Sequence, residues 1–570
     1  MIEFYPDVEF CPDCGSKLKV YKTWEKTAIT MHIGPFRAKE FILQCPHDQT
    51  IFTSKSLRDL VPEQGKFGYD VIVFVGSAMF VKGRNNKEIQ NALAEKNIDI
   101  SERTISFLGR KFVIYLALAH RESQDRLRES MMKNGGYVLH LDGTCEGDSP
   151  HLFCGLDGIT ELVLDNIKLP SEKKELLIPF FRRIKEQYGQ PAALVNDMGT
   201  GIQGAIKEVF PGTPDFICHF HFLRDIGKDL LLYDYQIIIR CLKLHKIRTQ
   251  LKQKARYWAG KLPEKSPAMT ELKAGLINGD LKSQDPKVFT AAAYLLIEWA
   301  FEAPSLSRGY GFPFDRPHLD FLNRLHEVYD RLGQIIDLHA KKQDVRTLRT
   351  VYRLLEKVIT DDRLIRARAN LGAKIEVFDR LRAAMRIAPL DGHDGLKDDG
   401  GDADLKTIEA CVTKFRQWLV SDDSRKETYS KMIEQLDKYW EKLFADPLVL
   451  DTANGPMTIH PQRTNNILER FFRGEKRMGR KRSGTKSLNK MLKAILSDTP
   501  LIRNLENEEY YKIILNGCYS LEERFSLIEA KQVREKLKEE KKNHDKIPPD
   551  VKKIIRQPDL PEKILTLLAA

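Results

Sequence analysis

No stretch of this 570-residue chain approaches the ~18–20 consecutive apolar residues that a membrane span needs. The apolar run Val71–Phe80 is too short and reads as core. The opening residues, Met1-Ile2-Glu3-Phe4-Tyr5-Pro6-Asp7, lack the basic start and apolar continuation of a secretory signal. Cysteine is sparse and odd in number. There are nine, six of them scattered, which argues against a disulfide framework and for a reducing compartment. The chain carries no internal repeat. Acidic residues are missing where basic ones are dense. Residues 240–261 hold eight Lys or Arg and no Asp or Glu, and residues 463–493 hold eleven against two acids, Glu469 and Glu475. With a net charge of +12 and a pI of about 9.0, these clusters point to a polyanionic partner, with DNA the natural one. A soluble, cytoplasmic, nucleoid-associated protein is the expectation.

At this length three or four domains of ~150 residues are expected. Residues 1–62 read as a zinc-ribbon-like module. A Cys11-Pro12-Asp13-Cys14 knuckle precedes alternating stretches at Ile29–Ile33 and Phe41–Gln44, and Cys45-Pro46-His47-Asp48 follows. Cys11, Cys14 and Cys45 suit a structural Zn²⁺. Asp48 stands where a second Cys-x-x-Cys would end, so His47 or His32 would complete the set, and His47 is taken as the fourth ligand. Residues 63–130 read as a helical, helix-turn-helix-like domain. Helices at Asn86–Lys96 and Ser101–Leu118 are joined by Asn97–Ile100, and Arg103, Thr104 and Ser106 would face a DNA groove.

Residues 131–235 change character. Strands at 137–142, 151–156 and 161–166 with short polar links form a meander. A helix at 171–188, a strand at 192–197, a helix at 201–209, a strand at 215–218 and a helix from 222 follow. The order β-β-β-α-β-α-β-α is the RNase H-like one. Residues 236–460 read as all-helical, broken at Gly309–Pro317 and at Asp391–Asp404, a flexible loop. Residues 461–500 would return to the core with a basic helix, and 501–570 form a charged helical tail whose Lys531–Lys542 run is a solvated face. The expected fold is thus an α/β RNase H-like core interrupted by a large all-α insertion, with an N-terminal zinc-ribbon-like module and a helix-turn-helix.

Three carboxylates carry the chemistry. Asp142 closes the run Tyr137–Leu141, Asp197 closes Ala192–Asn196, and Glu469 opens the basic helix. Asp142 and Asp197 end strands that lie side by side in this order. Two Mg²⁺ or Mn²⁺ ions ~3.5–4 Å apart need about three such acids. Asp157, beside Gly158, and Asp165 compete and read as structural, and Glu475 rivals Glu469. In Cys218-His219-Phe220-His221, Cys218 and His221 have Cys-x-x-His spacing; a buried strand-end cysteine or a zinc half-site would give the same string.

In order and spacing, Leu141-Asp142-Gly143-Thr144, Asn196-Asp197-Met198-Gly199, Cys218-x-x-His221, a long helical stretch and Thr464-Asn465-Asn466-Ile467-Leu468-Glu469-Arg470 resemble the DDE transposases of the prokaryotic insertion-sequence and Mutator-like group. The resemblance implies that Asp142, Asp197 and Glu469 bind the two metal ions, and that Cys218 and His221 are the group's signature pair. His219 departs from the pattern and leaves open which histidine matters. It also implies cleavage at element ends, strand transfer into target DNA without a covalent protein–DNA intermediate, and a homodimer or higher oligomer on DNA. Arg463, Arg470, Arg473, Lys476, Arg477, Arg480, Lys481 and Arg482 around Glu469 suit phosphate contact. Arg240 and Lys243 open a second basic surface that runs to Lys261, where Tyr257-Trp258 reads as packing. Two other classes compete: a catalytically inactive, transposase-derived DNA-binding regulator, and an RNase H-like nuclease on branched DNA.

Overall fold

The computed structural model describes residues 1–262, 266–279, 285–303, 307–338, 345–388, 405–453, 455–459 and 466–544, with 554, 557–560 and 563 near the end. Arg463, the 391–404 loop and the side chain of Glu469 lie outside the described residues. The chain is mixed α/β and dominated by helix, and it divides into two units. One comprises Met1–Cys218 with Asp446–Ala570, the other His219–Ala445.

The first unit opens with a small sheet. Strand β1 (Ile2–Phe4) pairs in parallel with β3 (Gly34–Gln44), which pairs antiparallel with β2 (Lys19–Thr30) and β4 (Ile51–Phe52). The stretch expected as a strand at Ile29–Ile33 is instead the end of β2 and a tight turn, with Gly34 at φ +78°. The helix α1 (Lys55–Leu60) packs Leu57 against Phe4, Ala28 and Ala38. A second small cluster gathers Cys11, Leu18 and Cys45. Cores this small contribute little stability and favour a metal staple.

Next come α2 (Tyr69–Gly76), which passes into a π-helical turn at Ser77–Val81, α3 (Asn86–Ala94), α4 (Glu102–Glu122) and α5 (Gln124–Lys133). Asn85 and Glu88 form a capping box on α3, and Ser101 caps α4 by accepting from the Thr104 amide, as its position predicts. The α3–α4 hairpin is therefore real, but it is no separate domain. Leu108, Phe112, Val113, Tyr115, Leu116 and His120 bury α4 within a core shared with the large sheet. Ser106 accepts from Asn86 Nδ2 at 2.8 Å and holds the hairpin together. Thr104 is engaged with Ser101, and Arg103 is exposed.

The large sheet has strand order β7-β6-β5-β8-β9. Strands β5 (Val138–Thr144), β6 (His151–Asp157) and β7 (Val163–Leu169) form the expected antiparallel meander; α6 (Lys174–Tyr188), β8 (Ala193–Asn196), α7 (Thr200–Val209) and β9 (Asp215–Ile217) follow, with β8 and β9 parallel to β5. From β7 onward strands and helices alternate where the hydrophobic pattern places them.

The second unit consists, in its described residues, of helices: α8 (His219–Leu244), α9 (Ile247–Lys261), α10 (Pro267–Asn278), α11 (Lys287–Phe301), α12 (Pro317–Leu338), α13 (Arg346–Ile359), α14 (Asp362–Met385), α15 (Leu405–Val420), α16 (Asp423–Thr428) and α17 (Ser430–Leu443). It begins at His219, because α8 runs unbroken from there, whereas the sequence placed the boundary at 236. The Gly309–Pro317 break is a turn in which Asp315 accepts from the amides of Arg308 (2.9 Å) and Gly311 (2.7 Å).

Within residues expected as helical, the first unit resumes with a hairpin, β10 (Leu448–Thr452) and β11 (Gly455–Ile459), which bonds back to the end of α5 through Ala453 N to Lys133 O. Helices α18 (Asn466–Ser483), α19 (Leu488–Ala494), α20 (Glu508–Leu515), α21 (Leu521–Ser526) and α22 (Ala530–His544) follow, with a 3₁₀ segment at Thr499–Glu506. The charged tail is a correction. Leu501, Ile502, Tyr510, Ile514, Leu521 and Phe525 belong to the main core, and even α22 buries Val533 and Glu540. Apolar residues three and four apart give each short helix one face to bury, which net charge conceals.

Candidate functional site

Asp142 and Asp197 come together through strand register. β5 and β8 are parallel neighbours with His140 opposite Val195, so Asp142 and Asp197 stand two residues beyond the same paired position. Neighbouring strands lie ~4.8 Å apart and paired residues point to one face. The two residues therefore stand at adjacent strand ends, Asp142 within β5 and Asp197 one residue past the end of β8. Asp142 is buried, with 7% of its surface exposed, and accepts from the Gly143 amide at 2.8 Å. Asp197 is half-buried and accepts from the Gly199 amide at 2.9 Å at the start of α7.

The same face continues outward through Cys154, opposite Asp142, and Asn166, opposite Cys154. Cys154 is fully buried; burial first, then the charges of Glu475 and Asp142, raise its thiol well above the ordinary value. Asn166 is buried too, and among the described residues neither end of its side-chain amide has a hydrogen-bond partner. Alternation along β6 and β7 assigns both to this face, yet the sequence reading passed over them. It also missed Glu172, whose carboxylate accepts from His151 Nδ1 at 2.9 Å and packs against Gly143, leaving no room there for a Cβ.

Helix α18 packs against β5. Ile467 and Leu468, which flank Glu469, are buried in the core that includes β5, and this brings the backbone of Glu469 to the sheet. Glu475 lines a cavity of about 80 Å³ with Met79, Met478, Met491, Arg482 and Arg503. Burial pushes its carboxyl up to about 7 against the opposing pull of Arg482 and Arg503. Asp157 and Asp165 are structural, as read from sequence. Asp157 accepts from the amides of Val138, Ile159 and Thr160 and from the Thr160 hydroxyl, while Asp165 is ion-paired with Arg183.

Cys218 follows β9, buried, its amide bonded to the Asn196 carbonyl. His219 is buried and its Nε2 bonds the Leu443 carbonyl at 2.8 Å, so it ties the two ends of the helical unit together. His221, in the first turn of α8, is held neutral by burial, its pKa down to about 4, and among the described residues its buried Nδ1 has no hydrogen-bond partner. The two histidines thus differ in that Nε2 of His219 is tied to the Leu443 carbonyl.

The basic residues of α18 separate by helical face. Arg470, Arg473, Lys476, Arg477, Arg480 and Lys481 are exposed, whereas Arg482 is half-buried over the Phe80 ring at 4.8 Å beside Glu475. Arg470 pairs with Glu161 and Lys481 donates to the Lys82 carbonyl. On the helical unit Arg240 and Lys243 are exposed; Trp258 packs inward as expected, but Tyr257 is exposed.

In the N-terminal module the side chains of Cys11, Cys14 and Cys45 converge closely enough to hold a metal ion. Cys14 and Cys45 sulfurs are 3.4 Å apart. Hydrogen bonds from Ser16 lower the Cys14 thiol, which favours the thiolate that metals take. The fourth neighbour is Asp48, 3.9 Å from Cys11 Sγ and grouped with Cys11 and Asp13; His47 is exposed and stands outside both groups. The turn after Cys45 points alternate residues apart, which residue spacing alone could not resolve. Among the described residues no helix is long and apolar enough to cross a membrane. No protein-family model matches this chain, and no curated protein is significantly similar to it.

Proposed function

We propose that this chain is a DDE transposase with an RNase H-like catalytic core, acting on the ends of its own element and joining them to target DNA. The observation that carries the reading is the equal register of Asp142 and Asp197 on adjacent strands, a buried and a half-buried carboxylate at one edge of the sheet. Carboxylates at neighbouring strand ends suit divalent metal, with Glu469 as the proposed third ligand. Mg²⁺ or Mn²⁺ bound there would supply activation of a water or DNA 3′-hydroxyl and charge neutralisation at the departing oxygen. The Gly143 and Gly199 amides hold one oxygen of each aspartate in place. Exposed arginines and lysines of α18 bind the phosphates flanking the scissile bond. Cys11, Cys14 and Cys45 hold a structural metal, for which Zn²⁺ suits the thiolate set, and the module recognises DNA or joins copies of the chain. Assembly as a homodimer or higher oligomer on paired ends belongs to the same reading.

The test is strand transfer with the full chain and its flanking element ends. Asp142→Asn, Asp197→Asn and Glu469→Gln should each abolish it while DNA binding persists. Full activity in any one of them removes that residue from the site. Cleavage of branched DNA without preference for element ends would favour the nuclease instead.

A further inference from the structure

The helical unit contains a cleft of about 320 Å³ between α9 and α11, lined by Arg248, Lys252, Arg256, Ala255, Glu298 and Phe301. The three cations are spaced four residues apart on α9, so they form one stripe with ~6 Å between neighbours along the axis. Among the described residues none of the three makes an ion pair, and Glu298 lines the cleft without bonding to any of them. Arg248 is half-buried, its guanidinium 4.3 Å over the Phe321 ring, and among the described residues its buried Nε has no hydrogen-bond partner. Lys252 lies over the Phe301 ring at 5.8 Å. A partly desolvated guanidinium with no carboxylate is an uncompensated charge, costly to keep unless an anion visits it. Its planar fork, fixed against a ring, is arranged for two-pronged contact with phosphate oxygens. The field is wider than the cleft. After burial, the charges of Arg248 and Lys243 are what hold His318 below its ordinary value.

We propose that Arg248, Lys252 and Arg256 form a phosphate-binding site, with Arg248 as the fork and the two exposed side chains as flanking charges. The phosphate comes from a nucleic-acid backbone or from a free polyphosphate, and the site rests on the nucleic-acid part of the reading above only for the first of these. Each phosphate neutralised on duplex DNA contributes ~0.9 to the slope of log affinity against log salt.

The experiment compares the full chain with Arg248→Gln/Lys252→Gln/Arg256→Gln in binding random-sequence duplex DNA across a salt series. The same proteins are melted with and without inorganic pyrophosphate. The slope should flatten by about 2.7, and by about 1.8 in Lys252→Gln/Arg256→Gln, which changes only exposed side chains and keeps the Arg248 packing. Flattening assigns the site to nucleic-acid phosphate. An unchanged slope with pyrophosphate stabilising the wild type but not the variants assigns it to a free polyphosphate. An unchanged slope and no pyrophosphate effect overturns the proposal. Random-sequence duplex carries no element ends and no strand transfer is read, so this failure and the failure of strand transfer are read separately.

Discussion

Replacing Glu475 by glutamine tests the reading of α18 in one step. The Glu475 carboxyl sits among Met79, Met478 and Met491, and burial raises it from 4.5 to about 7 although Arg482 and Arg503 pull it down. Between these two values the folded chain keeps a proton that the unfolded chain has released. Stability from this group is therefore full below about 4.5 and is lost as pH rises through about 7. At about 1.36 kcal/mol per pH unit, the loss reaches at most about 3 kcal/mol. Glutamine reproduces the neutral form, so Glu475→Gln should be the more stable protein above pH 7 and equal to wild type below 4.5. With roughly 2.1 cal/mol/K of unfolding entropy per residue, the gain is a rise of about 4 °C in melting temperature for the larger unit. His120 and His221, both held down to about 4 by burial, titrate in the opposite sense. The assay is therefore the difference between variant and wild-type melting curves across pH, in which they cancel. Parallel curves at all pH values would refute the burial argument. Loss of strand transfer in Glu475→Gln would make Glu475, and not Glu469, the third acid of the site.

Asp157→Ala removes the acceptor for three amides and a hydroxyl in a buried turn; chemical denaturation should show a loss of about 2–4 kcal/mol, with activity per folded molecule retained. In Zn²⁺ competition against a chelator, Asp48→Ala should weaken binding by at least the roughly 10–100-fold that losing an outer partner costs, while His47→Ala leaves it unchanged. The reverse ranking would restore His47 as the ligand. Gly76→Ala would drive a methyl into the Phe112 ring where α2 crosses α4, and should cost about 1–3 kcal/mol in denaturant unfolding. An unaltered midpoint would show that the two helices separate freely.

Much of the candidate site was legible before any coordinates. The runs ending at Asp142 and Asp197, the short links of the meander and the amphipathic segments between strands specify both the elements and their order, because backbone period and burial are local properties. The structural roles of Asp157 and Asp165 were legible for the same reason: Gly158 announces the turn that Asp157 caps. Ser101 and Asn85 likewise cap their helices from within their own turns.

What the sequence left undecided depends on contacts far apart in the chain. Charge suggested a solvated C-terminal tail, yet Tyr510 and Phe525 lie buried against α4, some four hundred residues away. Spacing left open which of His219 and His221 matters, and the bond of His219 Nε2 to the Leu443 carbonyl could be seen only in the folded chain. The same holds for Glu475 and for the ligand beside the three cysteines. The amino-acid sequence by itself determined the strands and helices around Asp142 and Asp197 and the Ser101 cap, since each is decided within a few residues. Tertiary structure alone decided which charges are buried, paired or left facing a cleft, because desolvation is a property of everything packed around a group and not of its neighbours in the chain.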